Sequence, residues 1–274
     1  MSALGRKLWR DFRQLRGQVL AIAAVMVGGI AMMTMALSNY HALSGTRTLY
    51  YSQYRFADVF AQVRRAPVSL LPAVREIDGV REAQARVNAM ARIEVPGYPE
   101  PVTGQLVSLS APGDPGLNAV HLESGRLAEG DAEIVVGASF AQAHGLAPGG
   151  ELVAIINGRR QTLRIVGIGM SPEFVYQIRP GDVFPDFERF GVMWMSREAL
   201  STAFDLDGAF NDLVLGLERG ARVEDVVDAL DRLLAPYGAI GAHGRELQMS
   251  HRFLDEELGQ LQVMTRMFTL IFLG

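Results

Sequence analysis

The sequence predicts an α+β protein that begins with a membrane-spanning helix and continues into a larger folded domain. Two observations support this prediction. Residues 19–37 form a run without any charged side chain, close to the N-terminus. After residue 57, stretches with the two-residue alternation of half-buried strands are separated by stretches with the helical period. The chain is therefore expected to contain a single N-terminal span followed by a mixed domain.

The N-terminal segment predicts a membrane anchor. A helix of 19 residues is about 28 Å long, close to the ~30 Å hydrocarbon core, so residues 19–37 are predicted to be transmembrane helix 1. Residues 1–18 contain five basic side chains and one acidic side chain, which predicts a cytoplasmic N-terminus. Their apolar residues share one helical face, which predicts an amphipathic elbow helix in the headgroup layer. Its membrane-contacting residues are predicted to be Trp9, Arg10, Phe12 and Arg13.

A cleaved signal peptide is an alternative interpretation of the same segment. A basic start, an apolar run and the small residues near Ser38 are typical of secretory signals. The apolar run of residues 19–37 is longer than the usual signal core. We therefore favour a retained helix over a secreted protein whose mature chain begins near Asn39.

The folded domain is predicted to contain two β-α-β units. The first has alternating strands at 57–65 and 81–95 around a short helix that ends at Gly79. The second has a strand at 211–217, an amphipathic helix at 222–238 and a short strand at 239–242. Two such units can pair into one split β-α-β sandwich.

Between these units the sequence predicts an inserted, mainly β subdomain. Short strands separated by Gly and Pro turns are predicted at 132–137, 151–157, 161–169 and 190–195, with one small helix at 138–146. Asn157-Gly158 between two alternating runs is a strong hairpin signal. The resulting division is a stalk at 38–56, a core domain at 57–245, sandwich segments at 57–110 and 205–245, and an insertion at about 111–204.

The last segment predicts a stalk helix at 246–266. An apolar stripe at spacings of seven, four and three residues runs along it, formed by Leu247, Leu254, Leu258 and Leu261. The stripe continues into the apolar residues 267–274. We interpret these as the start of a second transmembrane helix, of which the sequence contains only the first part.

No catalytic, cofactor-binding or metal-binding residue is predicted. The chain has no cysteine, which excludes disulfides and cysteine zinc sites, and it contains neither a P-loop nor a nucleophile elbow. His251 and Asp255 could share a metal ion, but such a pair is more often a helix-surface contact. The basic start and acidic body argue against nucleic-acid binding, which needs a basic face on the folded domain.

The segment 169–200 is rich in aromatic residues, proline and glycine. Two interpretations remain open for its aromatic side chains: they fill the base of the β subdomain, or they form a contact surface for a partner or an apolar cargo. The candidates for such a surface are Phe174, Tyr176, Phe184 and Phe187.

Two stretches carry a resemblance to a known family. "ESGRLAEGDAEIVVGASFAQAHGLAPGGEL" (123–152) and "LRIVGIGMSPEFVY" (163–176), with the layout of elbow, span, large domain and stalk, resemble the MacB/FtsX-like (LolC-type) permeases of ABC transporters. Gly150-Glu151 stands where this family usually has Gly-Asp. The resemblance implies a periplasmic core domain in which a Sabre-like subdomain is inserted into a Porter-like subdomain.

The resemblance also implies a function by mechanotransmission at the bacterial inner membrane. A separate cytoplasmic ATPase would hold ATP and Mg²⁺, and movement of the stalk helices would drive efflux, lipoprotein release or another substrate release on the periplasmic side. The implied partners are that ATPase, a second permease half or copy, and a periplasmic adaptor or lipoprotein cargo. The alternative function is a membrane-anchored extracytoplasmic sensor or binding protein. The substrate, the oligomeric state and the number of spans in the full protein stay open.

Overall fold

The computed structural model describes residues 15–111, 113–114 and 116–273. Contacts divide the chain into two units, residues 50–254 and the flanking segments 1–49 and 255–274. The predicted elbow residues lie outside the described part of the chain: Trp9, Arg10, Phe12 and Arg13.

Secondary structure alternates along the described chain. The helices are α1 (Arg16–Gln53), α2 (Leu71–Arg75), α3 (Ala138–His144), α4 (Arg197–Ala203), α5 (Val223–Leu234) and α6 (Met249–Leu273). The strands are β1 (Val59–Pro67), β2 (Val80–Arg86), β3 (Asn88–Val95), β4 (Tyr98–Ser108), β5 (His121–Gly125), β6 (Glu133–Gly137), β7 (Glu151–Ile156), β8 (Arg159–Met170), β9 (Phe190–Met195), β10 (Ala209–Leu217) and β11 (Ala242–Gly244).

Helix α1 contains the predicted span of residues 19–37 and continues without a break to Gln53. It contains no proline that would interrupt its hydrogen bonds. Apolar side chains of its first half are exposed, with Leu20 68% exposed. Within the described part of the chain it is the one helix long and apolar enough to cross a membrane.

Helix α6 begins at Met249, three residues after the predicted start of the stalk helix. Arg245–Leu247 instead form one turn of 3-10 helix that ends in an extended Gln248. The helical backbone then continues through Leu273.

A four-stranded antiparallel sheet has the order β11-β1-β10-β2. Strands β1, β2, β10 and β11, which correspond to segments of the two predicted β-α-β units, therefore lie in one sheet, which α2 and α5 cover. Val226, Leu230 and Leu234 recur every four residues on α5 and are buried in the core of this sheet, as an amphipathic helix requires. Each such side chain stabilises the fold by about 1.5–3 kcal/mol relative to exposure.

A seven-stranded sheet has the order β5-β8-β6-β9-β4-β3-β7. Strand β7 also pairs with β8, so six of the strands close into a barrel and β5 lies beside β8. Phe140 of α3 is fully buried in the barrel core. A Cβ at Gly191 would lie 2.6 Å from the Phe140 ring, so only glycine allows this packing.

The long strand predicted over 81–95 is wrong. It breaks at the buried Val87 into β2 and β3, which belong to different sheets. The seven-stranded sheet therefore begins at Asn88, whereas the sequence placed the start of the insertion near residue 111. Strand β10, at Ala209, returns the chain to the four-stranded sheet, four residues after the expected boundary at 205.

The hairpin predicted at Asn157-Gly158 is confirmed. The two residues have φ values of 48° and 76° and connect Ile156 of β7 to Arg159 of β8, which pair directly. Two positive φ angles characterise the type I′ turn, whose twist matches the flanking strands.

Candidate functional site

The end of α1 and the start of α6 both attach to the folded domain through a group that we call the helix junction: Tyr51, Phe56, Asp58, Arg245 and His251. The Tyr51 and Phe56 rings lie 4.5 Å apart between centroids. The Tyr51 hydroxyl is 3.1 Å from His251 Nδ1. Aromatic packing and one hydrogen bond therefore connect the last turn of α1 with the first turn of α6.

Arg245 is the central cation of the helix junction. Its Nε donates to the Ala57 carbonyl at 2.8 Å and its Nη2 to Asp58 Oδ1 at 2.7 Å, while Nη2 also contacts the Phe56 carbonyl. The guanidinium lies 4.8 Å from the Phe56 ring centroid, within cation–π range. Burial lowers the pKa of Arg245, and the Asp58 carboxylate opposes this effect. One side chain thereby joins the segment before α6 to the start of β1.

A second group, the buried ionic cluster, lies where the two sheets meet: Arg86, Asn118, Glu173 and Asp212. Arg86 Nε donates to Asp212 Oδ2 at 2.6 Å, and its Nη1 and Nη2 donate to the Glu173 carboxylate at 2.6 and 3.0 Å. Asn118 Nδ2 donates to Glu173 Oε2 at 2.6 Å. Arg86 and Asp212 are direct partners across β2 and β10, whereas Glu173 follows β8 of the other sheet. The cluster therefore ties one sheet to the other.

The electrostatics of this cluster keep its guanidinium charged. Burial by itself would lower the pKa of Arg86, but the carboxylates of Asp212 and Glu173 outweigh burial and raise that pKa. One cation contacts two anions, and the three side chains are each less than a tenth exposed. Buried charges are tolerated only when they are paired and hydrogen-bonded in this way.

The start of α6 also contacts the segment that contains Glu173. Gln248 Nε2 donates to the Glu173 carbonyl at 2.6 Å. The backbone N–H of Tyr176 donates to Ser250 Oγ at 2.9 Å, and the Tyr176 ring lies 5.7 Å from the Phe253 ring. The residues at and just before the start of α6 therefore contact both the segment that precedes β1, through Arg245, and the residues that follow β8.

A third group, the surface ionic cluster, lies in the two stretches that resemble the family: Arg126 and Glu133 in 123–152, and Arg164 in 163–176. Arg126 makes two bonds of 2.7 and 2.6 Å to the Glu133 carboxylate, and Arg164 makes one of 2.5 Å. The bonds from Arg126 lower the pKa of Glu133, with help from Arg164 and nearby backbone N–H groups and against the opposing effect of burial. Both arginine side chains are about half exposed.

The aromatic segment divides between core and surface. Phe174 is buried beside Trp194, with 6.3 Å between ring centroids, so it fills the core and is not part of a contact surface. Tyr176 and Phe187 are half-buried. Phe184 is 73% exposed beside the equally exposed Val183. Of the four candidate surface residues, Phe184 alone is largely open to solvent.

The predicted stalk residues differ in burial. Leu258 is buried, and Leu254 and Leu261 are half-buried along α6. Leu247 is 60% exposed and lies before the helix. The apolar stripe predicted from the sequence therefore includes one residue, Leu247, that lies outside the helix.

His121, His144, His243 and His251 serve as hydrogen-bond partners. His251 bonds to Tyr51, whereas Asp255 forms an ion pair of 2.8 Å with Arg47. His121 Nδ1 lies 2.5 Å from the Tyr54 hydroxyl. In the ranges that the structure describes, no three His, Asp or Glu side chains are close enough to hold a metal ion.

Sequence reasoning missed Arg86, Asp212 and Arg245. Arg86 ends an alternating strand, and Asp212 interrupts an apolar strand. A charged residue within a strand that is expected to be buried was the sequence signal that could have identified both residues. Their partners are up to 189 residues away along the chain, which no local pattern reveals.

Comparisons with known proteins place this geometry in context. The family model described as the MacB-like periplasmic core domain matches residues 17–233. The extracellular domain of the noncanonic ABC-type transporter YknZ from Gram-positive bacteria is similar at 12% identity and a TM-score of 0.45, covering 69% of this chain and 98% of its own. The periplasmic region of MacB from Actinobacillus actinomycetemcomitans is similar at 8% identity and a TM-score of 0.43, covering 76% and 95%. A comparison with curated proteins found no match.

Proposed function

This chain belongs to the family of MacB-like periplasmic core domains, and on that premise we propose that it works by mechanotransmission in an ABC transporter. The family makes it a membrane-anchored permease component with an extracytoplasmic domain. In the proposal, a separate cytoplasmic ATPase binds ATP and Mg²⁺, and its cycle moves α1 and α6. The domain then changes shape and releases or expels a substrate at the outer side of the bacterial inner membrane.

The observation that carries the proposal is the pair of attachments at the start of α6. Arg245 connects this region to Ala57 and Asp58 at the start of β1. Gln248 connects it to Glu173, which belongs to the buried ionic cluster between the two sheets. A displacement of α6 would therefore reach both sheets through short, charged or buried hydrogen bonds, which resist stretching more than loose loop contacts do.

The proposed partners follow from the same premise. They are the ATPase, a second permease half or copy, and an adaptor or a lipoprotein cargo on the periplasmic side. The exposed pair Val183 and Phe184, with the half-buried Phe187, is the proposed contact surface for the adaptor or cargo. A Phe184→Ser variant is then expected to keep its stability and to lose association with that partner.

The first experiment asks whether the protein works with an ATPase. The full protein, tagged and purified from its own membranes, is expected to copurify with a P-loop ATPase in fixed stoichiometry. If no P-loop ATPase copurifies with the protein, the permease function is contradicted and the function as a sensor or binding protein is favoured.

The second experiment measures coupling directly. Because the chain lacks cysteine, spin labels can be placed cleanly at Val183→Cys and Ile240→Cys, which are 70% and 80% exposed in the native chain. In the assembled complex, trapping with ATP and vanadate is expected to change the distance between the labels. Arg245→Ala should abolish this change, whereas the exposed Arg222→Ala serves as a control and should preserve it.

Two results separate failure of coupling from failure of folding. Arg245→Lys keeps the charge at the helix junction and is expected to retain part of the distance change. An unchanged distance in the native complex, despite ATP hydrolysis, would contradict mechanotransmission through this domain.

A further inference from the structure

A small cavity lies at the edge strand β2, between the four-stranded sheet and the start of α4. Its volume is about 250 Å³. Its apolar wall contains Val68, Leu71, Ala83, Ala85 and Leu109. A space of this size accepts a small molecule rather than a folded partner.

Two arginines also line the cavity, Arg75 and Arg197. Arg75 Nη2 donates to the Ala83 carbonyl at 3.3 Å. Arg197 contacts the Ala85 carbonyl and donates to the Ala209 carbonyl at 3.3 Å. Within residues 15–273, leaving out 112 and 115, neither guanidinium forms an ion pair.

Among the described residues, the half-buried Arg197 side chain therefore donates its hydrogen bonds to carbonyl groups and forms no ion pair. Burial lowers its pKa, because a partly desolvated cation is less favourable than one in water. By contrast, the half-buried Arg245 and the buried Arg86 both have carboxylate partners. An anion bound in the cavity would supply the missing counter-charge.

The carboxylates at the cavity limit what kind of anion fits. Glu82 is paired with Arg55, and Asp114 accepts the Gly116 N–H at 2.9 Å. Both remain negative charges at the cavity lining, so a dianion such as a phosphate monoester would be repelled more than a monoanion. The fork of a guanidinium matches the two oxygens of a carboxylate.

We propose that this cavity binds a small amphiphilic monocarboxylate, with its carboxylate on Arg75 and Arg197 and its short apolar chain against Val68, Leu71 and Leu109. Such a ligand would bridge β2 of one sheet and α4 beside the other. The site is independent of the helix junction and of the proposed transport cycle.

Calorimetric titration of the full chain in lipid nanodiscs tests this site, with empty nanodiscs as the blank. Hexanoate is expected to bind with a millimolar dissociation constant, and neutral hexanamide at least tenfold more weakly. Arg75→Gln should weaken hexanoate binding roughly tenfold, since it removes one of two charge-assisted contacts. Arg232→Gln removes an exposed charge outside the cavity and should leave binding unchanged.

Arg197→Lys keeps the positive charge but loses the fork of the guanidinium. Alone, it is expected to weaken hexanoate binding by less than the double variant Arg75→Gln/Arg197→Lys does. Fluorescence of the buried Trp194 checks that each variant is folded. Three results would each overturn the proposal. They are a heat of hexanoate titration equal to that of empty nanodiscs, hexanamide binding as tight as hexanoate binding, and hexanoate binding by Arg75→Gln as tight as by the native chain. Preferential binding of inorganic phosphate over hexanoate would overturn the assignment to a monocarboxylate.

Discussion

The buried and the surface ionic clusters are built from the same groups in opposite proportions. The buried cluster places one guanidinium, Arg86, between two carboxylates, whereas the surface cluster places one carboxylate, Glu133, between two guanidiniums. Hydrogen-bond lengths are similar in both. The difference is the exposure of the arginines: Arg126 and Arg164 are about half exposed although Glu133 between them is nearly buried, so water can reach the outer partners of the surface cluster but not those of the buried one. The comparison indicates that burial, rather than the number of bonds, sets the effect of breaking each cluster.

The largest expected effect tests the buried cluster. Arg86→Met leaves Glu173 and Asp212 buried without a cation, so the free energy of unfolding should fall by about 3–5 kcal/mol. Urea unfolding of the full chain in detergent, followed by Trp194 fluorescence in a Trp9→Phe background, measures it. The exposed Arg232→Met should change stability by less than ~0.5 kcal/mol.

A loss below ~1 kcal/mol for Arg86→Met would show that water enters the cluster and that the comparison fails. Should this variant not accumulate as folded protein, Arg86→Lys offers a milder test. It keeps the charge, loses the two-pronged contact with Glu173, and is expected to show an intermediate loss.

The next effect concerns acid stability at the surface cluster. The pKa of Glu133 is lower in the folded chain than in the unfolded chain. Its stabilisation is therefore present above the unfolded pKa of about 4.3 and is lost as pH falls towards the folded pKa. Thermal midpoints of the native chain and Glu133→Gln should differ at pH 7 and converge towards pH 3. A difference that stays constant down to pH 3 would contradict the assignment.

A smaller effect separates the two arginines of the surface cluster. Arg126 makes two bonds to Glu133 and Arg164 makes one. Arg164→Gln should reduce the free energy of unfolding by about 0.2–1 kcal/mol, as is typical of exposed pairs, and Arg126→Gln should reduce it more. Equal losses in parallel urea titrations would mean that bond number is irrelevant at this site.

The smallest effect is expected for an isolated surface pair. Arg160 of β8 and Glu94 of β3 lie 2.6 Å apart, with side chains 68% and 39% exposed. A double-mutant cycle with Arg160→Gln and Glu94→Gln should give a coupling of about 0.2–1 kcal/mol that falls in 1 M NaCl. A larger, salt-independent coupling would remove the distinction between buried and exposed pairs.

Local patterns predicted several elements well. The strand at 190–195 and the helix that starts at 138 match β9 and α3, because each depends on residues a few positions apart. The break at Val87 was missed because β2 and β3 both alternate, and alternation continues across the break. Which sheet a strand joins depends on partners far away in the chain, such as β10 for β2 and β7 for β3.

The candidate site was predicted less well than the fold. The aromatic segment was recognised, but its division between the buried Phe174 and the exposed Phe184 depends on the packing of Trp194 and the barrel. The cluster of Arg86, Glu173 and Asp212 gave no local pattern, since each charge is isolated in its own stretch of sequence.

By itself the sequence determined the charge-free helix at residues 19–37, the Asn157-Gly158 hairpin and the amphipathic α5, because helix length, turn geometry and helical period are local properties. Only the tertiary structure decided that the second sheet closes into a barrel and that Arg86 faces Asp212 and Glu173. The physical reason is that periodicity specifies which side of an element is buried, whereas the partner on that side is chosen by packing across the whole domain.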